Sequence, residues 1–510
     1  MLRQRHHGMS LSGMPPMVEE RRPRREEFSE PCTVVDRTFP LRTRRTAPRN
    51  SPPRHLPSTE RHGAVRRVRE WCGGMTGRRR TRSTVLPRSL VRPARAGALS
   101  AGALTACAAL VAGCGVVPGV TEGPGDDTIT VMTWAPENTG ATNKPGMPAF
   151  AEAYGRWVNS HGGIDGRPLR VLTCDERDDA VAAARCARRA VAENAVAVVG
   201  SYSQHGDAFL PTLEAAGIPY IGGYGLTHDE FTSPLSYPVN GGQPALLAGL
   251  GRTLADACGP VALVRPDTIT GDQLPPLLDS GLAAGGHATA GDLRAAEAAT
   301  SYDDTAERAL EHAAAGTGEE RGCVVPALGD RTGTFMDSFR RARARHPEVR
   351  TATVLGSVDQ TVLDASGGAS GPYEGAYVTG WYPEAGDARW DPMKEVIRAE
   401  AFGDNRIDPA DAGVQTTWIA YRVLHQAVES LGDGEVTADT VTTALDGGLK
   451  VTTGGLTPTL RWEFQDTLAS VGLPRLVNAN VTLHVVVKGR LTAAADGFTD
   501  VTATLKDAAL

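Results

Sequence analysis

Lysine is almost missing from this 510-residue chain: five stand against 48 arginines. Aromatic residues amount to only 5% and gather in a few loops. The basic front of the chain therefore lacks the lysines and interleaved aromatics of a nucleic-acid surface. It also lacks any hydrophobic period, which reads as disorder or as a pre-sequence. A G-x-S-x-G elbow, a P-loop, an H-E-x-x-H helix and a G-x-G-x-x-G turn after a strand are all absent, so the commonest enzyme chemistries have no footing. Ser203 and His205 lie two apart without an evident third partner for a triad, and His205 reads as a polar loop residue. Without a C-x-x-C pair or clustered His, a zinc site is unsupported, and no cofactor is implied.

What charge there is falls unevenly. Up to Gly113 there are 23 Arg, no Lys and 8 acidic residues, a balance of +15; the chain as a whole carries -6, so the remainder carries -21. A surface that acidic repels nucleic acid and anionic lipid, and neither is expected as a partner of the folded part. Residues 1–74, rich in Arg, Pro and Ser, read as a disordered tail or a mis-called start. From Met75 the run MTGRRRTR is followed by the charge-free stretch Ala96–Ala112. That stretch is too short and too weakly apolar for a spanning helix and suits the core of a signal peptide, 75–113. It ends Leu110-Val111-Ala112-Gly113-Cys114, which resembles the lipobox of bacterial lipoproteins. The resemblance implies lipid on Cys114, a tether over 114–127, and a protein held on the extracellular face of the cell membrane without spanning it.

Export implies an oxidising compartment in which cysteines pair. Beyond Cys114 four remain. Cys174 ends a strand-like run and Cys186 lies on the helix that follows; Cys258 and Cys323 each precede a strand. In a doubly wound sheet of order 2-1-3 those last two strands are neighbours. The expected bridges are Cys174–Cys186 and Cys258–Cys323, although spacing alone leaves the connectivity open.

From Thr128 strand and helix signals alternate, which argues for parallel α/β architecture. Strands are expected at 129–134, 169–173, 196–199 and 218–221, with helices at 147–161, 179–193 and 208–216 between them. The pattern restarts with a helix at 244–257 and strands at 261–264, 287–291, 323–328 and 352–356. A strand at 376–379, a long amphipathic helix at 414–431 and a hairpin turning at Lys488-Gly489 complete the chain.

Several landmarks then occur in one order: Asn159 to Leu169 (NSHGGIDGRPL), Cys174 to Asp179 before an Ala-rich helix, Ala216-Gly217-Ile218-Pro219, Tyr373-Glu374-Gly375, and Pro474-Arg475 ahead of the closing hairpin. Together, over roughly 128–501, they resemble the branched-chain amino-acid binding proteins of the type I periplasmic-binding fold. The resemblance implies two Rossmann-like doubly wound lobes joined by three crossovers, with lobe one at 128–243 and 374–476 and lobe two at 244–373 and 477–510. It implies a monomer that captures a small polar ligand, an amino acid or a related small acid or amide, for an ABC permease. A sensory module reporting to a separate receptor is the alternative, and an enzyme the remoter one.

Ligands of open α/β sheets bind beyond the carboxyl ends of the strands. That rule brings forward Trp134 after the first strand, Tyr202, Ser203 and Gln204 after the third, and Tyr224 and Thr227 after the fourth. From lobe two come Asp267 and Thr270, then Asp330, and Trp381 follows the strand at 376–379. In relatives the third and fourth loops hold an amino acid's carboxylate and ammonium; Ser203 and Thr227 fall on matching residues, whereas Gln204-His205 replaces a Ser-Thr pair, and Tyr202 and Tyr224 add bulk. Asp330 matches a residue facing the ligand ammonium, or else caps the next helix. Trp381 and Tyr382 either wall the cleft or pack the hinge.

Overall fold

Seven consecutive buried residues, Ile129–Ala135, form β1. A run apolar on both faces can be satisfied only where helices cover both sides of a sheet, the setting of parallel α/β architecture. The computed structural model describes residues 127–508 except 140–141, 269, 298, 317–320, 355 and 471, so the signal-like segment, Cys114 and most of the tether lie outside the described residues.

The first lobe continues with α1 (Gly146–Ser160), β2 (Leu169–Asp175), α2 (Ala180–Ala192), β3 (Ala197–Val199), α3 (Gly206–Ala216), β4 (Tyr220–Ile221), α4 (Asp229–Thr232) and β5 (Ser236–Tyr237). Its five strands are parallel in the order β2-β1-β3-β4-β5. Asp179 starts α2 by accepting the Ala182 N–H, and Gly217 ends α3 in the left-handed conformation that glycine adopts without strain.

The second lobe holds α5 (Gly242–Ala257), β6 (Val261–Pro266), α6 (Leu274–Ala284), β7 (Gly291–Ala295), α7 (Asp303–Ala314), β8 (Cys323–Pro326), α8 (Thr332–Ala342), β9 (Arg350–Val354), α9 (Gln360–Ala365) and β10 (Tyr377–Gly380). The chain then returns to lobe one for α10 (Asp391–Glu400), α11 (Ala412–Glu429) and α12 (Ala438–Asp446). It finishes in lobe two with β11 (Asn480–Val487), β12 (Arg490–Ala493), β13 (Thr499–Asp500) and α13 (Thr502–Asp507). The second sheet runs β12-β11-β10-β9-β8-β6-β7, with β13 on β11; β11 and β12 are antiparallel. Disulfides join Cys174 to Cys186 and Cys258 to Cys323.

Two boundaries differ from the sequence reading. The edge strand lies at 291–295, not 287–291, because buried Arg265 on β6 grips Asp292 through two 2.8 Å bonds and fixes the register there. The return to lobe one comes after Gly380, not at Glu374. Tyr377–Thr379 pair with Ala352–Val354 of β9 and with β11, so the strand stays in the second sheet. Glu374 itself accepts the N–H groups of Lys488 and Gly489, pinning the turn of the closing hairpin.

The three crossovers are stitched to one another. Asn240 donates to Tyr382 Oη at 2.9 Å, Asn478 to the Val239 carbonyl at 3.1 Å, and Thr482 to the Tyr382 carbonyl at 2.7 Å. Tyr382 is therefore a hinge residue.

Candidate ligand-binding cleft

Between the lobes, beyond the strand ends, lies an inner chamber of about 70 Å³. Lobe one supplies Thr142, Lys144, Tyr202 and Tyr224, and lobe two Gly329, Asp330, Gly356 and Ser357; Trp381 stands at the crossover. The rings form a wall: Tyr202 to Tyr224 and Tyr224 to Trp381 are each 5.0 Å between centroids, the latter edge-on. Such contacts combine apolar burial with the polar edges of the rings. Trp381 is held by its Nε1–H, which donates to the Gly242 carbonyl of the first crossover at 2.9 Å.

Lys144 is the chamber's one cation among the described residues, with its side chain only 10% exposed. Its Nζ lies 3.5 Å from Asp411 Oδ2 on its own lobe and 4.0 Å from Asp330 Oδ1 across the cleft, and 5.9 Å from the centre of the Tyr224 ring. Burial alone pushes its pKa down, but Asp411, Tyr224 and Asp330 outweigh this and hold it well above the ordinary lysine value. Beside it the Asn143 N–H donates to Asp330 Oδ2 at 2.9 Å, so the two lobes touch through this acid.

Leu226 and Gln243 line both the inner chamber and a second, outer one of about 400 Å³. The outer walls are largely apolar, with Phe231 and Leu473 from lobe one and Pro276 and Leu277 from lobe two.

Behind the inner chamber lobe one carries a polar shelf. Ser203 donates to Glu176 Oε2 at 3.0 Å, Gln204 donates to Asp178 at 3.2 Å, and His205 Nε2 stands 3.8 Å from Asp178. Glu176 is fully buried; burial, with a smaller push from Asp178, raises its carboxyl pKa to about 7 against the opposing Ser203 bond.

Comparison with known proteins decides what such a two-lobed molecule is. The family model described as periplasmic binding protein matches residues 138–468. The chain belongs to the periplasmic binding protein family. Its fold is shared with a substrate-binding periplasmic protein of Ralstonia solanacearum, 18% identical with a TM-score of 0.59, over 72% of this chain and 99% of that one. It is also shared with a possible leucine/isoleucine/valine-binding protein of Rhodopirellula baltica SH 1, at 14% identity and a TM-score of 0.59, covering 73% and 98%. A solute binding protein of an ABC transporter from Rhodopseudomonas palustris BisB5, solved with 3,4-dihydroxy benzoic acid, gives 16%, 0.59, 73% and 98%. No curated protein matches at a significant level.

In this periplasmic binding protein the residues brought forward from sequence do not all meet. Tyr202, Tyr224, Asp330 and Trp381 line the inner chamber, and Ser203 and Gln204 form the shelf behind it. Thr227 lines the outer chamber, where its N–H and hydroxyl both serve Glu230. Trp134 is a correction: it lies within β1, is wholly buried, and packs on Phe209 at 5.1 Å and Tyr220 at 6.1 Å in the lobe-one core. Asp267 is exposed at the sheet edge beside Arg294, and Thr270 precedes a short 3-10 turn; neither lines a chamber. Asp330 does not cap α8 but reaches across the cleft instead. The sequence reading missed Lys144, for which the rarity of lysine was the available signal.

Proposed function

We propose that this protein captures a small polar solute, an amino acid or a related small acid or amide, between its lobes and passes it to an ABC permease. In this reading it acts as a monomer on the outer face of the cell membrane, tethered through lipid on Cys114. The observation that carries the reading is the inner chamber walled by both lobes, with a buried ammonium opposite an aromatic wall. A closing hinge converts such a chamber into a trap, because the bound solute completes contacts that exist only in the closed form. A fold relative solved with 3,4-dihydroxy benzoic acid supports a small acid as the class of solute.

Thermal unfolding against a panel of amino acids, amides, small acids and sugars tests this. A solute at 100 times its dissociation constant stabilises the folded form by about 2.7 kcal/mol, which raises Tm by a few degrees. A shift confined to one compound class names the solute; no shift across the panel rejects capture of these classes.

A further inference from the structure

A third cavity between the lobes, of about 280 Å³, shares no wall residue with either chamber. Lobe two lines it with Asp359, Gln360 and Arg490, and lobe one with Glu384, Ala410 and Gln415. Carboxylates of the two lobes meet here and are held in place. Asp359 Oδ1 accepts the Val362 N–H at 2.9 Å as the N-cap of α9. Across the cleft Asp408 Oδ1 accepts the Ala410 N–H at 2.8 Å, and its Oδ2 accepts the hydroxyl of Thr361 on α9. Asp411 Oδ1 accepts the N–H groups of Gly413 and Val414. None of the three acids can swing clear when the lobes come together.

The charge around Asp359 is lopsided. Asp411 and Asp408 repel it from the opposite lobe, and Lys144 attracts it less than either repels. Lys144 is itself divided between Asp411 and Asp330. Glu384 and Arg490 line the same cavity, and Asp364, one turn along α9, accepts from Gln360. Arg490 is exposed, and a guanidinium in water is screened. Burial first, then Asp411 and Asp408, raise the Asp359 carboxyl to about 6, against the Val362 bond and Lys144. When the lobes part, Asp408, Asp411, Ala410 and Gln415 leave together, and the carboxyl regains water and its ordinary value of 3.8. At the other rim Asp178 meets Glu297 and Asp330 of lobe two in the same way, with His205 beside it.

We infer that Asp359 takes up a proton as the cleft closes, so that the clamp shuts more readily as the medium turns acid. Well above pH 6 the carboxyl is ionised in both forms, and the repulsion opposes closure in full. As pH falls through about 6 the closed form gains the proton, and the advantage levels off once the open form holds it too, below about pH 4. From pH 7.5 to 5 this raises the ratio of closed to open molecules about tenfold.

The test counts closed and open molecules by single-molecule Förster transfer. It needs no solute, so its outcome is separate from that of the capture reading. The full chain carries Cys32→Ser, Cys72→Ser, Cys107→Ser and Cys114→Ser, which leaves no lipid attached, with dyes on Val181→Cys and Thr300→Cys. Both positions are exposed and uncharged, close to Asp178 and Glu297 on facing rims. The parent ratio should rise at least about tenfold from pH 7.5 to 5. Asp359→Asn keeps an oxygen for the Val362 N–H without the ionisation. Its ratio at pH 7.5 should already exceed the parent's, and its rise should be about tenfold smaller. Asp408→Asn keeps an acceptor for Thr361 and should likewise favour closure at pH 7.5. A parent ratio that stays within about twofold, an Asp359→Asn rise equal to the parent's, or Asp408→Asn closing no more readily than the parent would each overturn the proposal.

Discussion

At the scale of single residues, the cleft depends on positions where one atom decides the geometry. Gly356 has φ +97, and a Cβ there would stand 2.2 Å from Tyr224 Oη. Both the backbone and the neighbour demand glycine, so Gly356→Ala should lower stability by about 1–3 kcal/mol and displace Tyr224. Its Tm should fall, and its affinity for any solute found should fall with it. Glu176 sets a pH dependence. Its folded pKa of about 7 lies above its ordinary value of 4.5, so the folded form binds the extra proton between those values. Stability therefore falls as pH rises from about 4.5 to 7 and levels off above. Glu176→Gln keeps the shape without the ionisation, and its Tm curve from pH 5 to 8 should be flatter than that of the parent. An identical pH slope in both proteins would refute that role. Lys144 shows why this scale is hard to read in advance. It sits in the irregular connection between β1 and α1, where no period points to it, and its partners Asp411, Tyr224 and Asp330 lie far away along the chain.

At the scale of elements, legibility followed burial. β1, β6 and β8 stand out as apolar runs because helices cover both their faces. β7 does not, since an edge strand alternates polar residues such as Asp292 and Arg294 with apolar ones. The alternation within β1 also explains Trp134: it shares with Met132 the face turned to the α2–α3 layer, and faces its core rather than the cleft. β5, with two residues, and the short helices α10 and α12 carried too little pattern to be noticed. The disulfides act at this scale. Cys258–Cys323 ties the starts of neighbouring strands β6 and β8 across 65 residues, whereas Cys174–Cys186 spans 12. Replacing both cysteines of the longer bridge by Ala should cost about 2–5 kcal/mol in denaturant unfolding. The shorter bridge should cost less, because it closes a smaller loop in the unfolded chain.

At the scale of the whole molecule, order along the chain was more informative than any single motif. The two restarted β-α series implied two lobes, and the strand-end rule placed four of ten candidate residues on the inner chamber. What order could not supply was the closure between lobes. The contacts of Asn143 and Lys144 with Asp330 join residues nearly two hundred positions apart, and no local pattern encodes them.

The interleaving of the lobes governs how the protein comes into being. Lobe one waits for Trp462 and Leu476 to complete its core, and lobe two for Val486 and Leu505. A growing polypeptide therefore has no finished lobe until Leu476 is added, although chains in general tend to fold domain by domain from the front. Synthesis halted before Leu476 would leave both lobes with gaps, and no single cut in the chain would release one lobe whole.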